Sequence, residues 1–231
     1  MHKRSTIVMM IDLTHTIKSE MSVYPETPLP EFSPLAEIGH DGYRETVLRM
    51  GSHTGTHMDA PSHMLAGGAS LDQLPVSRFC GKAVLLDVTD LPAGSTVTTQ
   101  LLLERLGNLR GTDFLLLRTG WEDKWATPAF LDEPFPVLDE DAARYLVSQG
   151  LKGVGTDAIS VDPVHTTTYP VHHVLFRAGL VSVECLCLND LAGQKDIRFF
   201  ALPLKYAKAD GAPVRAMAEI PDVPEKELMR G

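Results

Sequence analysis

Short apolar runs broken by turn residues dominate the chain, interrupted by a few stretches of helical period. Thr6 to Leu13 is apolar and β-branched, and it reads as a first buried strand running into Asp12-Leu13-Thr14-His15. Arg44 to Met50, Lys82 to Val88, Asp113 to Arg118, Lys152 to Gly155 and Leu180 to Leu188 read as further strands. Val97 to Leu106 has an amphipathic helical pattern, with Thr98 as N-cap and Gly107 at its end. Asp139 caps a second helix through Ser148, closed by Gly150, and Pro170 opens a third that Gly179 ends. Strand, helix and strand between Lys82 and Arg118 predict a parallel crossover, with the loop after Arg118 at a carboxyl end, where α/β proteins place ligands. Trp121 and Trp125 follow that loop and are candidates for contact with a substrate or partner, against the plainer role of packing anchors.

The connections are rich in proline. Val23 to Pro28 is one such loop, and Pro28, Pro30 and Pro34 keep the following segment extended. Trp125 to Pro136 is irregular but too short to be a domain linker, and Ala66-Gly67-Gly68-Ala69 is a turn placed to form a pocket rim. At 231 residues, 44% hydrophobic and 22% charged, the chain suits one large domain, taken as 1–231, with enough length to bury a sizeable core. The polar end from Ile220 to Gly231 is expected to fray.

The formal net charge of −9, with no basic run, excludes nucleic acid and anionic membranes as natural partners. His2-Lys3-Arg4 and the apolar run after it resemble the start of a signal peptide, but Asp12 interrupts the run and no small-residue cleavage site follows. No apolar run approaches the roughly 18 residues of a membrane span. Cys185 and Cys187 are only two apart on an expected strand, so a disulfide between them is not expected. With Cys80 they are read as reduced thiols of a cytoplasmic protein.

The chemistry concentrates in residues 51–63, Gly-Ser-His-Thr-Gly-Thr-His-Met-Asp-Ala-Pro-Ser-His. His53, His57, Asp59 and His63 gather imidazoles and a carboxylate that suit a borderline divalent ion such as zinc or manganese. Gly51, Gly55 and Pro61 argue against one long helix, so a turn or short helix after a strand is expected. The plainer alternative is a polar loop whose histidines cap turns. A second group lies near the end of the chain: Glu184 sits in an apolar strand, where a carboxylate is costly unless paired or bound to a metal. His172 stands twelve positions before it and its neighbour His173 eleven, and spacing favours His172.

His53-Thr-Gly-Thr-His57-Met-Asp59-Ala-Pro-Ser-His63 resembles the H-x-G-T-H-x-D-x-P-x-H signature of the metal-dependent cyclase family, which includes bacterial kynurenine formamidases (arylformamidases) and isatin hydrolases. Gly155-x-Asp157-x-x-Ser160-x-Asp162, and the closing Ala201–Leu204 and Asp210–Arg215 stretches, extend the resemblance over nearly the whole chain. It implies an α/β fold, a single domain with a mixed, curved β-sheet flanked by a few helices. It also implies two divalent ions, zinc or manganese, held by His53, His57, Asp59, His172 and Glu184 with Asp59 shared. Such ions supply water of lowered pKa and polarise a carbonyl. His63, left without a ligand role, is expected to shuttle the proton as general base and then acid.

The expected activity is hydrolysis of an amide or formamide C–N bond, N-formylkynurenine to kynurenine and formate in tryptophan catabolism, with isatin-type cyclic amides as the alternative. Tyr24 stands where the formamidases commonly carry a pocket-lining Trp, and His15 is a candidate for the pocket wall, with a structural hydrogen-bonding role as the equal alternative. Family members are oligomeric, commonly dimers. A non-catalytic metal or small-molecule binding module is the competing class. Its site would be closed by four ligands, whereas five ligand candidates and a free His63 favour catalysis.

Overall fold

In the computed structural model, which describes residues 8–221, the chain runs β1 (Val8–Asp12), β2 (Glu31–Ala36), α1 (Ile38–Asp41), β3 (Glu45–Arg49), β4 (His57–Asp59), β5 (Cys80–Asp87), β6 (Thr96–Val97), α2 (Thr99–Leu106), β7 (Phe114–Arg118), α3 (Ala129–Asp132), β8 (Val137–Leu138), α4 (Glu140–Ser148), β9 (Gly153–Thr156), α5 (Pro170–Arg177), β10 (Val181–Glu184), β11 (Ile197–Pro203) and β12 (Gly211–Pro221). Thr6 and Ile7 of the expected first strand, and the expected frayed end beyond Pro221, lie outside the described residues.

The main sheet has the order β1-β12-β11-β5-β7-β9-β10-β4 and is mixed: β5, β7, β9 and β10 are mutually parallel and the rest antiparallel. β12 turns the curved sheet back on itself. Its Gly211–Pro213 end pairs with β4, while residues further along pair with β11 and β1. The expected crossover between Lys82 and Arg118 is present, since β5 and β7 pair in parallel with α2 between them.

Strand β7 shows why its sequence reads as an unbroken apolar run. Phe114 and Leu116 point into one core with Val183 and Phe199, while Leu115 and Leu117 point into a second core with Leu102, Leu146 and Leu175 from α2, α4 and α5. Both faces are buried, so alternation disappears from the pattern. A third, aromatic cluster of Trp121, Phe130, Phe135, Ile159 and Cys185 lies beyond the carboxyl ends of the parallel strands. Strand β9 packs closely between β7 and β10 because it starts with Gly153, where a Cβ would sit 2.6 Å from the Val181 carbonyl oxygen.

Several boundaries differ from the pattern-based expectation. Val97 belongs to the two-residue pairing of β6 with β8, and the helix starts at Thr99 behind its Thr98 cap. The Leu180–Leu188 run is a strand only to Glu184, because Cys185 adopts a φ of 56° and turns the chain out of the sheet. Arg44 to Met50 contains β3, which pairs only with β2, as a hairpin outside the main sheet.

Candidate metal centre

The three-residue strand β4 is the foundation of the site. His57 and Asp59 are two apart and so share a face, while Met58 points the other way and is fully buried in the core. The segment expected as a turn or short helix is therefore strand at His57–Asp59. Pairing with β10 on one side and β12 on the other fixes its extended form, and a one-turn 3-10 helix, Pro61–His63, follows. Register does the rest: His57 is opposite Glu184, and Asp59 is opposite Ser182 and Gly211. Gly211 is required there, since a Cβ would lie 2.4 Å from the His53 ring.

His53, His57 and Asp59 bring one ligand atom each to within 4.8 Å of one another, and so do Asp59, His172 and Glu184. Asp59 serves both groups with different oxygens. Its Oδ1 lies 2.6 Å from His53 Nδ1 and 3.2 Å from His57 Nε2, and its Oδ2 lies 3.7 Å from His172 Nε2. Glu184 Oε1 is 3.2 Å from His172 Nε2, and Oε2 is 3.6 Å from His57 Nε2.

Each imidazole is held through its other nitrogen. His57 Nδ1 donates to the Gly55 carbonyl at 2.8 Å, His172 Nδ1 donates to Asp162 at 2.6 Å, and His53 Nε2 lies 3.1 Å from Asp210 Oδ2. The nitrogens left over are those facing Asp59 and Glu184. This arrangement orients metal-ligating histidines in proteins, so the donor set fits one or two divalent cations.

Burial disfavours protonation of His57, His53 and His172, but the carboxylates outweigh it. His53 is raised to about 9, and His57 and His172 are also raised, His172 well above the ordinary imidazole range. Burial works against an ionised Asp59, yet His57 and His53 hold its carboxyl well below the usual range; Glu184 is raised by burial and by the Asp59 charge. A divalent ion supplies the positive charge that these protons supply, and frees the nitrogens to ligate.

His63 behaves differently. Desolvation pushes its imidazole down to about 4, so it is neutral near pH 7 and able to accept a proton. Its ring lies 3.9 Å from that of His53.

These groups open onto a cavity of about 490 Å³, also lined by Tyr24, Met64, Ile159, Tyr169 and His173. All of His53, His57, Asp59, His63, His172, Glu184 and Tyr24 thus converge on one centre, and His172 rather than His173 faces the carboxylates. Tyr24 donates to the Val164 carbonyl at 2.8 Å, and burial raises its phenol to about 12.

The remaining candidates lie outside the cavity lining. His15, Trp121 and Trp125 do not line the cavity. His15 stacks on Trp125 at 4.1 Å, and Trp121 and Trp125 pack in the aromatic cluster behind Tyr24 and Cys185. The Ala66–Ala69 turn is not part of the cavity lining, because Gly68 packs tightly on the Pro61 backbone instead. The three cysteines are free, as expected.

Sequence reasoning missed three supporting residues: Asp162 behind His172, Ser182, whose hydroxyl donates to Asp59 at 2.6 Å, and Asp210. Asp210 also groups with His53 and His63 within 4.8 Å. Asp162 closes the 155–162 stretch that carries the resemblance, which marked its position without a role, and it is fully buried. Asp210 opens the closing stretch that carries the resemblance, but nothing local gives it a role at the site.

The sequence profile of the family described as "Putative cyclase" matches residues 11–163, more than half of the chain. The chain belongs to the cyclase family. This cyclase-family chain is 32% identical over 222 residues to a kynurenine formamidase of Salinibacter ruber, covering 92% of this chain and 99% of the relative. It is 34% identical over 210 residues to a kynurenine formamidase of Bacillus cereus, covering 90% and 95%. Among solved structures it is similar to isatin hydrolase A from Labrenzia aggregata bound to benzyl benzoate, at 25% identity and a TM-score of 0.83, with 93% and 94% covered. It is also similar to a structure described as a potential metal-dependent hydrolase with cyclase activity, at 30% identity and a TM-score of 0.74, with 94% and 100% covered.

Proposed function

We propose that this cyclase-family chain is a metal-dependent amide hydrolase whose substrate is an aryl formamide, N-formylkynurenine, released as kynurenine and formate in tryptophan catabolism. The observation that carries the reading is the split use of Asp59, one oxygen toward His53 and His57 and the other toward His172, beside a neutral His63. His53, His57 and Asp59 would hold one ion, and Asp59, His172 and Glu184 a second, with zinc as the first choice and manganese as the second.

Divalent ions so placed supply water of lowered pKa and polarise the carbonyl of the scissile amide. His63 accepts the proton released as water attacks, and returns it to the departing arylamine nitrogen. Tyr24, Met64 and Ile159 receive the aromatic ring and keep bulk water from it. Coverage of 95–99% of the formamidases at 32–34% identity supports the substrate. Tyr24, together with the likeness to isatin hydrolase A, supports a cyclic aryl amide as the second reading.

Among the described residues no helix is long and apolar enough to cross a membrane, and we place the chain in the cytoplasm as a homodimer. The β2–β3 hairpin supports association of two copies, because Phe32, Leu35, Ile38, Tyr43 and Leu48 are all exposed on it or on its connecting turn. Light scattering that gives twice the chain mass is the expected result.

Hydrolysis of N-formylkynurenine, isatin and a simple acetanilide, each before and after chelation, tests the function. Chelator-sensitive turnover fastest on N-formylkynurenine is expected. Preference for isatin would move the substrate to cyclic amides, and equal rates on all three would remove the formamidase assignment.

A further inference from the structure

Five histidines line the cavity, and four are committed. His53 faces Asp59 and Asp210, His57 faces Asp59 and Glu184, and His172 faces Asp162, Asp59 and Glu184. His63 lies over the His53 ring and carries the proton-shuttle role proposed above. His173 has no carboxylate within salt-bridge distance among the described residues. It lies one residue past His172 on α5, a rotation of about 100° around the helix axis, which turns it away from the carboxylates while it still lines the cavity.

The lining holds no lysine or arginine; beyond the centre it offers hydroxyls, from Ser22, Thr27 and Ser160 among others, and apolar groups such as Val23 and Ile159. The His173 Nδ1 atom is buried with no hydrogen-bond partner. A proton on that nitrogen would be a buried donor without an acceptor, so Nε2 is the ring N–H that can donate to a ligand.

We infer that His173 is a specificity-determining residue that receives the carboxylate of an aryl formamide bearing an amino-acid side chain. The inference rests on the amide-hydrolase reading for its substrate class, and on the cavity for its geometry. The formamide lies at the Asp59 centre, the ring lies along Tyr24 and Ile159, and the carboxylate meets His173, which no protein carboxylate occupies and which the proton shuttle does not use. A charge-assisted hydrogen bond of this kind distinguishes N-formylkynurenine from the same aryl formamide without the amino acid.

The test uses zinc-loaded protein and two ligand pairs: kynurenine and 2-aminoacetophenone for binding, and their N-formyl derivatives for turnover. His173→Phe keeps a ring and removes the donor; His173→Gln restores a neutral donor. In His173→Phe the Kd of kynurenine and the KM of N-formylkynurenine should rise about tenfold, with kcat within about twofold, while both constants for the 2-aminoacetophenone pair stay unchanged. His173→Gln should recover part of the loss, and metal content should match the native protein in both variants.

Equal losses on both ligand pairs would make His173 a packing residue only, and no loss on either would remove it from the site; each overturns the inference. If the native protein hydrolyses neither formamide but His173→Phe still loses kynurenine selectively, the amide-hydrolase reading fails and the role of His173 stands.

Discussion

Asp162 accepts a hydrogen bond from His172 Nδ1 at 2.6 Å and, through the same carboxylate, from the backbone N–H groups of Val171 and His172 at 2.9 and 3.0 Å. One buried carboxylate thus caps the first turn of α5 and sets the tautomer of the histidine that turn carries, leaving Nε2 toward Asp59 and Glu184. Asp162→Asn keeps the shape but offers an amide where two N–H donors and the ring converge. It should weaken the second ion about 10–100-fold and leave the first in place. A metal titration followed by calorimetry reads this as the loss of one tight equivalent; two unchanged equivalents would mean that Asp162 serves only the helix.

Removing His63 separates its two possible roles. His63→Ala should lower kcat by about 10² to 10⁴ while metal content stays at the native level. Because His63 also groups with His53 and Asp210 within 4.8 Å, loss of an ion in this variant would reclassify it as a ligand.

Gly211→Ala tests the packing of the centre without touching a polar group. The new Cβ would lie 2.4 Å from the His53 ring, which Asp59 and Asp210 hold on both sides, so the ring must leave its place. Affinity at the His53 side should fall about tenfold or more, with little change in thermal midpoint. A variant with native metal affinity would show that the ring has room to shift.

The pH dependence of stability carries a signature of His15. Burial lowers its imidazole to about 4, from an ordinary value near 6.5, as it stacks on Trp125. Because the folded value is the depressed one, the contribution is fully present above pH 6.5. It is lost as pH falls from there toward about 4, where the unfolded chain takes up a proton that the folded chain refuses. His15→Phe keeps the stack and removes the titration. Urea midpoints measured across this range should fall less steeply with acidity in His15→Phe than in the native protein, and parallel curves would contradict the assignment.

The centre was legible where chemistry is local or costly. His53, His57, Asp59 and His63 crowd one short stretch, and Glu184 stands out as a carboxylate in an apolar strand. Asp210 was not legible, because it reaches His53 from 157 positions away along the chain, through the β4–β12 pairing that closes the sheet. The parallel core could be read from strand–helix–strand spacing. The β2–β3 hairpin could not, since Pro34 suggested an extended single segment and its partner strand lies beyond a helical turn. Trp121 and Trp125 take the plainer role of packing anchors, although loop aromatics near strand ends look the same in sequence whether they meet a substrate or back the wall that does.

The most direct test of the central claim is to strip the protein with a chelator and titrate zinc back while recording bound metal and N-formylkynurenine hydrolysis together. Turnover that is absent in the stripped protein, grows with added zinc and saturates at two ions per chain is the predicted result. Turnover in the stripped protein, or a protein that binds no divalent ion at any addition, would contradict the account.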